Sequence, residues 1–269
     1  MNDDIAKLPD DVMNRFRLDG RSAVVTGGTR GIGRAISLGL MQAGAKVAVT
    51  CQSLGEGSEN FVNDMVALGY EPPVVLTGDV ASPDDVKRIA DGAFRELGTV
   101  SILVNNAGIN IVGASETYPV NDFDRLMDVN FKGVFLCSQA FGAHMLGSGG
   151  GSIINVGSMS ADIVNRPAKQ AIYNASKAAV HMLSKCLAVE WADRKVRVNV
   201  IAPGFHATDM VKEVMAADPD TKEMWLSMVP QGRVADPSEL AGAAVYLASD
   251  ASSYSTGGVI TLDGGYTLL

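Results

Sequence analysis

Short apolar runs alternate with longer helical patterns along nearly the whole chain, and this alternation constrains its fold more than any other feature. Ser22–Thr26, Lys46–Thr50, Val74–Thr77, Ile102–Asn105, Ser152–Val156, Arg197–Ile201 and Val259–Leu262 read as strands. Arg34–Ala43, Gly57–Leu68, Asp84–Leu97, Val120–Met145, Tyr173–Ala192 and Pro237–Ala248 read as helices. Several strands are rich in Val and Ile without strict alternation, as in a parallel sheet covered on both faces. With right-handed crossovers, this rhythm predicts an α/β fold: a Rossmann-type, doubly wound parallel sheet with helices on both faces.

The 269 residues suit one large domain, and no internal repeat or linker divides them. Gly147–Gly151 is glycine-rich but short, so it reads as a helix-to-strand loop. Residues 1–17 read as a leader and 18–269 as the domain. The segment 208–232 breaks the rhythm with Met210, Met215, Met224 and Met228 among acidic residues. It is either surface helices packed by adaptable methionines or a mobile lid over a substrate.

Composition excludes several functions. Hydrophobic residues are 47% and charged ones 19%, which argues for a packed core, and the net charge is −8. An acidic chain is a poor match for nucleic acid or an anionic membrane surface, so any bound phosphate must be held locally. Cys51, Cys137 and Cys186 are scattered, as are His144, His181 and His206, and none has metal-ligand spacing. They read as reduced thiols in a reducing compartment and leave no zinc site. Met1–Arg17 mixes acids and bases, unlike a signal peptide. No run reaches the ~18 apolar residues of a membrane span. A soluble cytoplasmic protein is expected.

The first strand runs into Thr26-Gly-Gly-Thr-Arg-Gly-Ile-Gly33 and then directly into a helix. Gly27, Gly31 and Gly33 let backbone approach a pyrophosphate, and the helix N-terminus adds N–H donors and a favourable dipole. The spacing is Gly-x-x-x-Gly-x-Gly rather than the general Gly-x-Gly-x-x-Gly. The second strand ends Thr50-Cys51-Gln52-Ser53, without the carboxylate that usually accepts the ribose hydroxyls of NAD. That removes the repulsion a 2′-phosphate would meet, and Arg30 is the cation placed to receive it. NADP(H) is the expected cofactor. The competing reading of Arg30 is a solvated loop charge.

Tyr173-Asn-Ala-Ser-Lys177 sets a phenol and an ammonium four residues apart on one helix face. A tyrosine hydroxyl has a reference pKa of about 10, and a neighbouring cation lowers it toward the range useful for acid–base catalysis.

Together with Asp79-Val80, Asn105-Asn-Ala-Gly108, Asn130, Ser158 and Pro203-Gly204, these motifs resemble those of the short-chain dehydrogenases/reductases from about Leu18 to Leu269. The resemblance implies hydride transfer between NADP(H) and a ketone or secondary alcohol. It implies that Tyr173 donates or accepts the proton, while Lys177 lowers its pKa and binds the nicotinamide ribose. Ser158 would bond the substrate oxygen, and Asn130 would hold a water that extends the relay. Thr29 and Ile32 would complete the glycine loop, with Gln52 and Ser53 at the adenosine end. Asp79 and Val80 would meet the adenine. Asn106, Ala107 and Gly108 would line the adenine-ribose side. Pro203, Gly204 and Thr208 would contact the nicotinamide end. Blander roles compete: Asn105 and Asn106 as turn residues, Asp79 as a helix cap.

Ser158-Met-Ser-Ala-Asp-Ile-Val-Asn-Arg-Pro167, Glu190-Trp-Ala192 and Asp263-Gly-Gly-Tyr266 are similar to the family's microbial polyol and ketose enzymes. Those include mannitol 2-dehydrogenase, sorbose reductase, xylulose reductase and arabinitol 2-dehydrogenase. Three other readings stay open: a 3-oxoacyl-thioester reductase, a natural-product ketoreductase, and a silent nucleotide-binding scaffold. Against the thioester reading, an acidic chain is ill suited to dock an acidic carrier protein. The family resemblance also implies a homotetramer built on the Val120–Met145 and Tyr173–Ala192 helices and the C-terminal strand.

Overall fold

A computed structural model describes residues 11–268, so Met1–Asp10 of the leader and Leu269 lie outside the described residues. Seven strands form one parallel sheet: β1 (Ser22–Val25), β2 (Lys46–Cys51), β3 (Val74–Thr77), β4 (Ile102–Asn105), β5 (Gly151–Val156), β6 (Val196–Pro203) and β7 (Val259–Leu262). Their order is β3-β2-β1-β4-β5-β6-β7. The helices are α1 (Gly31–Gln42), α2 (Glu56–Ala67), α3 (Pro83–Leu97), α4 (Val120–Met127), α5 (Gly133–Gly147), α6 (Ala171–Trp191), α7 (Asp209–Ala217), α8 (Pro219–Met228) and α9 (Ala241–Ala248).

Strand side chains alternate between two cores because successive Cβ atoms point to opposite faces. Ala23, Val25, Ile102 and Val104 meet Ile36 and Leu40 of α1, Phe61 and Met65 of α2, and Leu247 of α9. Val24, Leu103 and Ile153 meet Ile89 of α3, Phe141 and Met145 of α5, and Leu187 of α6. Each large side chain so buried stabilises the fold by about 1.5–3 kcal/mol. β1 and β4 are neighbours although β2 and β3 intervene in sequence, so their crossovers leave in opposite directions. That reversal opens a crevice at the carboxyl ends of the two strands, where α/β sheets bind ligands.

A buried amide ladder crosses the sheet centre. Asn105 Nδ2 donates to Asn155 Oδ1 (2.8 Å) and Ser138 Oγ (3.0 Å), and Asn155 Nδ2 donates to Ser184 Oγ (2.8 Å). Asn105 is therefore a sheet-locking residue rather than a turn residue.

The expected helix Val120–Met145 is interrupted. Asp128–Lys132 is a π-helical turn in which Gly133 N–H bonds to Asp128 O. Gly133 lies against Val80, where a Cβ would come within 2.9 Å of Val80 Cγ2, and Asn130 is fully buried. The widened turn reconciles those two demands. α9 is preceded by a 3-10 turn over Pro237–Leu240, and α1 starts at Gly31, three residues earlier than its apolar pattern. Leader residues Val12–Phe16 form a 3-10 turn held by Arg15, which donates to Ser253 Oγ (3.3 Å). Among the described residues no helix is long and apolar enough to cross a membrane, and no His/Cys/Asp/Glu cluster could hold a metal.

Candidate active site

The turn from β1 to α1 is held from three sides. Gly27 and Gly31 adopt left-handed φ angles of +61° and +53°. A Cβ on Gly33 would sit 2.2 Å from Gly27 O, so only glycine lets the helix start this close to the strand. Asn106 Nδ2 donates to Thr26 O (2.9 Å) and Gly27 O (3.0 Å), while Thr26 Oγ1 accepts from the N–H groups of Asn106 and Ala107. Thr50 Oγ1 accepts from Gly27 N–H (3.2 Å). Arg30 is the N-cap of α1 and makes no side-chain cap bond, so the first N–H groups of the helix are left for an anion. The Thr208 methyl stands 3.4 Å from the Cβ position of Gly31 and roofs the loop.

A cleft of about 1440 Å³ runs from this loop in both directions. Every residue assigned to the cofactor from the sequence lines it, from Gln52 and Ser53 at one end to Pro203, Gly204, Tyr173 and Lys177 at the other. The volume exceeds the 300–1,000 Å³ of an ordinary small-ligand pocket, as a dinucleotide plus a substrate requires. The glycine cradle, the uncapped helix end and the exposed Arg30 fit a dinucleotide with a 2′-phosphate. No ion pair of Arg30 occurs among the described residues. Glu56, in the first turn of α2, also lines the adenosine end and would oppose that phosphate.

At the other end, Ser158 follows β5 and caps the 3-10 turn Met159–Ala161, its Oγ accepting from Ser160 N–H (3.1 Å). That leaves the hydroxyl proton of Ser158 for Tyr173, with which it is hydrogen-bonded. Tyr173 is half-buried in the first turn of α6, and Lys177 is buried one turn later. Lys177 Nζ lies 5.7 Å from the Tyr173 ring centroid and donates to Val156 O (2.9 Å). The helix spacing thus sets phenol and ammonium on one side, facing Ser158.

This geometry has known counterparts. The family model described as Enoyl-(Acyl carrier protein) reductase, of the short-chain alcohol dehydrogenase type, matches residues 27–267. The chain belongs to the short-chain dehydrogenase/reductase family. It is 43% identical over 257 residues to galactitol 2-dehydrogenase of Rhizobium johnstonii, covering 94% of this chain and 97% of that protein. It is 38% identical to sorbose reductase of Candida albicans, covering 97% and 92% respectively. A solved gluconate 5-dehydrogenase from Burkholderia cenocepacia, in complex with NADP and tartrate, superposes with a TM-score of 0.90 at 34% identity. The match covers 96% of this chain and all of that one (100%).

Two features of this short-chain dehydrogenase differ from the sequence expectation, and a third removes a competing reading. First, the Tyr173 pKa is raised, chiefly by burial, and the hydrogen bond with Ser158 only partly offsets that rise. Lys177 is in turn pushed down to about 8 by burial. Each group is moved toward its neutral form by desolvation, and Lys177 is not what sets the phenol in the free protein. Second, Asn130 lies behind the cleft. Its Oδ1 accepts from Ile109 N–H (2.8 Å), and its Nδ2 donates to Ile109 O (2.9 Å) and Ser176 Oγ (3.2 Å). The amide clamps both backbone polar groups of Ile109 at the cleft rim, so both its N–H bonds are taken. Third, Asp79 is no helix cap: Ser82 caps α3, and Asp79 Oδ1 accepts from Ala81 N–H (2.9 Å) at the rim.

His206 is buried beside the nicotinamide end, with Nδ1 3.1 Å from Gly204 O, and burial depresses its pKa. α7 and α8 cover the cleft: Met210, Val211 and Val214 line it, and Trp225 donates to Arg166 O (3.1 Å) while stacking on Phe205 at 4.2 Å. Two helices placed over the cleft are common to both readings of 208–232. Sequence reasoning missed Thr26 and Thr50, which position the glycine loop. It also missed the amides Asn110, Asn165, Gln170 and Asn174. The density of amides between Ser158 and Lys177 was the available signal.

Proposed function

We propose that the protein is an NADP(H)-dependent oxidoreductase that interconverts a ketone and a secondary alcohol on a ketose or polyol. The observation that carries this reading is the meeting of the Ser158 hydroxyl, Tyr173 phenol and Lys177 ammonium at one end of a cleft whose other end is the glycine loop. The names of the sequence relatives, galactitol 2-dehydrogenase and sorbose reductase among them, support the substrate class. The NADP in the Burkholderia structure supports the cofactor, as do Arg30 and the absence of a carboxylate at the end of β2.

The chemistry follows from the donors. When bound, the reduced nicotinamide supplies the hydride. Ser158 turns its hydroxyl proton from Tyr173 to the ketone oxygen and fixes that oxygen beside the phenol. Tyr173, kept protonated by burial, passes its proton to that oxygen as negative charge gathers there, which is where preplaced donors help most. Lys177 keeps its charge at neutral pH, since a pKa of about 8 lies above it. One of its N–H bonds is spent on Val156 O, leaving two for the ribose and for resupplying the phenol. In oxidation the proton runs the other way. The thioester alternative is disfavoured by the polar wall around Asn110, Ser160 and Gln170, which an acyl chain would leave without partners. We place the enzyme in the cytoplasm.

The test is NADPH oxidation with a panel of 2-ketoses and simple ketones, repeated with NADH. The expected result is turnover, with kcat/KM at least about tenfold higher with NADPH, a gap that Arg30→Ala narrows because a charge-assisted bond is lost. Silence on the whole panel would overturn the reading.

A further inference from the structure

We propose that Asn110, Ser160, Asn165 and Gln170 form a hydroxyl-reading wall that selects polyhydroxylated ketones over plain ones. The proposal rests on the reading of Tyr173 as the proton donor and deepens it. All four residues line the cleft. They bracket the reacting end in sequence: Ser160 lies two residues past Ser158, and Gln170 is the N-cap of α6, three residues before Tyr173.

The orientation of the amides is fixed by one backbone carbonyl. Asn174 Nδ2 donates to Ile163 O (2.8 Å), so Asn174 Oδ1 must face the other way, toward Gln170 Nε2 at 3.1 Å. Gln170 therefore turns its Oε1 to Asn110 Nδ2 (3.1 Å). The Oδ1 of Asn110 is left buried and without a partner. Gln170 Nε2 also faces Asn165 Oδ1 (3.1 Å) and Ser160 Oγ (3.4 Å). A carboxamide nitrogen carries two protons, and here it meets three acceptors. The acceptor of the cluster left with no donor is Asn110 Oδ1, while Gln170 Nε2 is shared among three oxygens, one of which is a hydroxyl.

Buried acceptors without donors are costly, and a bound molecule that brings hydroxyl protons removes the deficit. A chain of adjacent hydroxyls supplies several donors at the spacing of neighbouring carbons. A plain ketone supplies none. Sites built around hydrogen bonds to hydroxyls reject analogues lacking them, because the site's own polar groups stay unpaired. Asn165 is buried and Asn174 backs Gln170 from outside the cleft lining, so the wall is held rigid before substrate arrives. Asn174 is a positioning residue.

The experiment compares kcat and KM for fructose and for hexan-2-one, which share a six-carbon chain and carbonyl position, with NADPH as reductant. Wild type, Gln170→Leu and Asn110→Ala are measured, and NADPH binding by fluorescence checks that each is folded. The fructose-to-hexan-2-one ratio of kcat/KM should fall about tenfold or more in each variant, mainly through KM for fructose. A purely structural role would lower both substrates together and leave the ratio unchanged, and that result would overturn the proposal. Asn110→Ala alters only a half-buried rim residue and carries the test alone if Gln170→Leu does not fold. Wild-type turnover of hexan-2-one matching that of fructose would also overturn it while leaving the Tyr173 assignment standing. Wild-type silence on both would remove the assignment and the proposal together.

Discussion

Lys177 holds a charge where a charge is unwelcome, and that cost is measurable. Burial brings its pKa from 10.5 to about 8, which corresponds to about 3 kcal/mol of stability lost while the amine is charged. Between those two values the unfolded chain binds more protons than the folded one, so wild-type stability rises with pH across that window. Lys177→Met removes the buried charge and forfeits the bond to Val156 O, which is worth about 1 kcal/mol. The variant should therefore be about 2 kcal/mol more stable than wild type at pH 7 without cofactor, although inactive. Its advantage should shrink as the pH rises from about 8 toward 10.5. Urea unfolding at several pH values reads this directly, and a variant less stable at pH 7 would show that the site is not strained by Lys177. Tyr173 and Lys177 were legible in the sequence because helical spacing alone puts them side by side. The direction of their pKa shifts was not, since it depends on how deeply both are buried. The pairing of Asn110 with Gln170 was invisible for a related reason: the two meet only in space, sixty residues apart.

Elements were legible where their period matched a single partner. β1 through β5 and α3 follow from Val/Ile runs and from the helical pattern of Asp84–Leu97, and the structure keeps those spans within a residue or two. The π turn at Asp128–Lys132 was hidden because Val120–Met145 keeps a helical apolar pattern straight through it. Only the need to bury Asn130 against Ile109 while Gly133 meets Val80 forces the widening. The cover formed by α7 and α8 was half legible. Its methionines announced adaptable packing, yet its anchor is aromatic: Trp225 on Phe205, with Tyr266 edge-on to Phe205 at 5.4 Å. Those rings come from three distant segments, so no local pattern reports the contact. The anchor also ties α8 to the loop carrying Asn165 and Arg166, which links cover position to the polar wall.

Across the whole molecule, the doubly wound parallel sheet followed from strand–helix alternation and the right-handed crossover rule, while the strand order is a finding of the structure. Assembly does not follow from those rules. We infer a homotetramer, as the family resemblance implies, because α5 and α6 expose Phe135, Met182 and Val189, the last at 82%. Apolar side chains grouped on two adjacent helices are better explained by a partner than by water. Light scattering should give a mass of four chains, and a monomer at micromolar concentration would refute the inferred assembly. The account as a whole depends on a proton leaving the Tyr173 phenol for a ketone oxygen. The most direct test is Tyr173→Phe, which removes the hydroxyl and keeps the ring. NADPH should bind as in wild type while kcat for ketose reduction falls about 10²–10⁴-fold, the usual contribution of a general acid. Turnover close to wild type in a variant that still binds NADPH would contradict it.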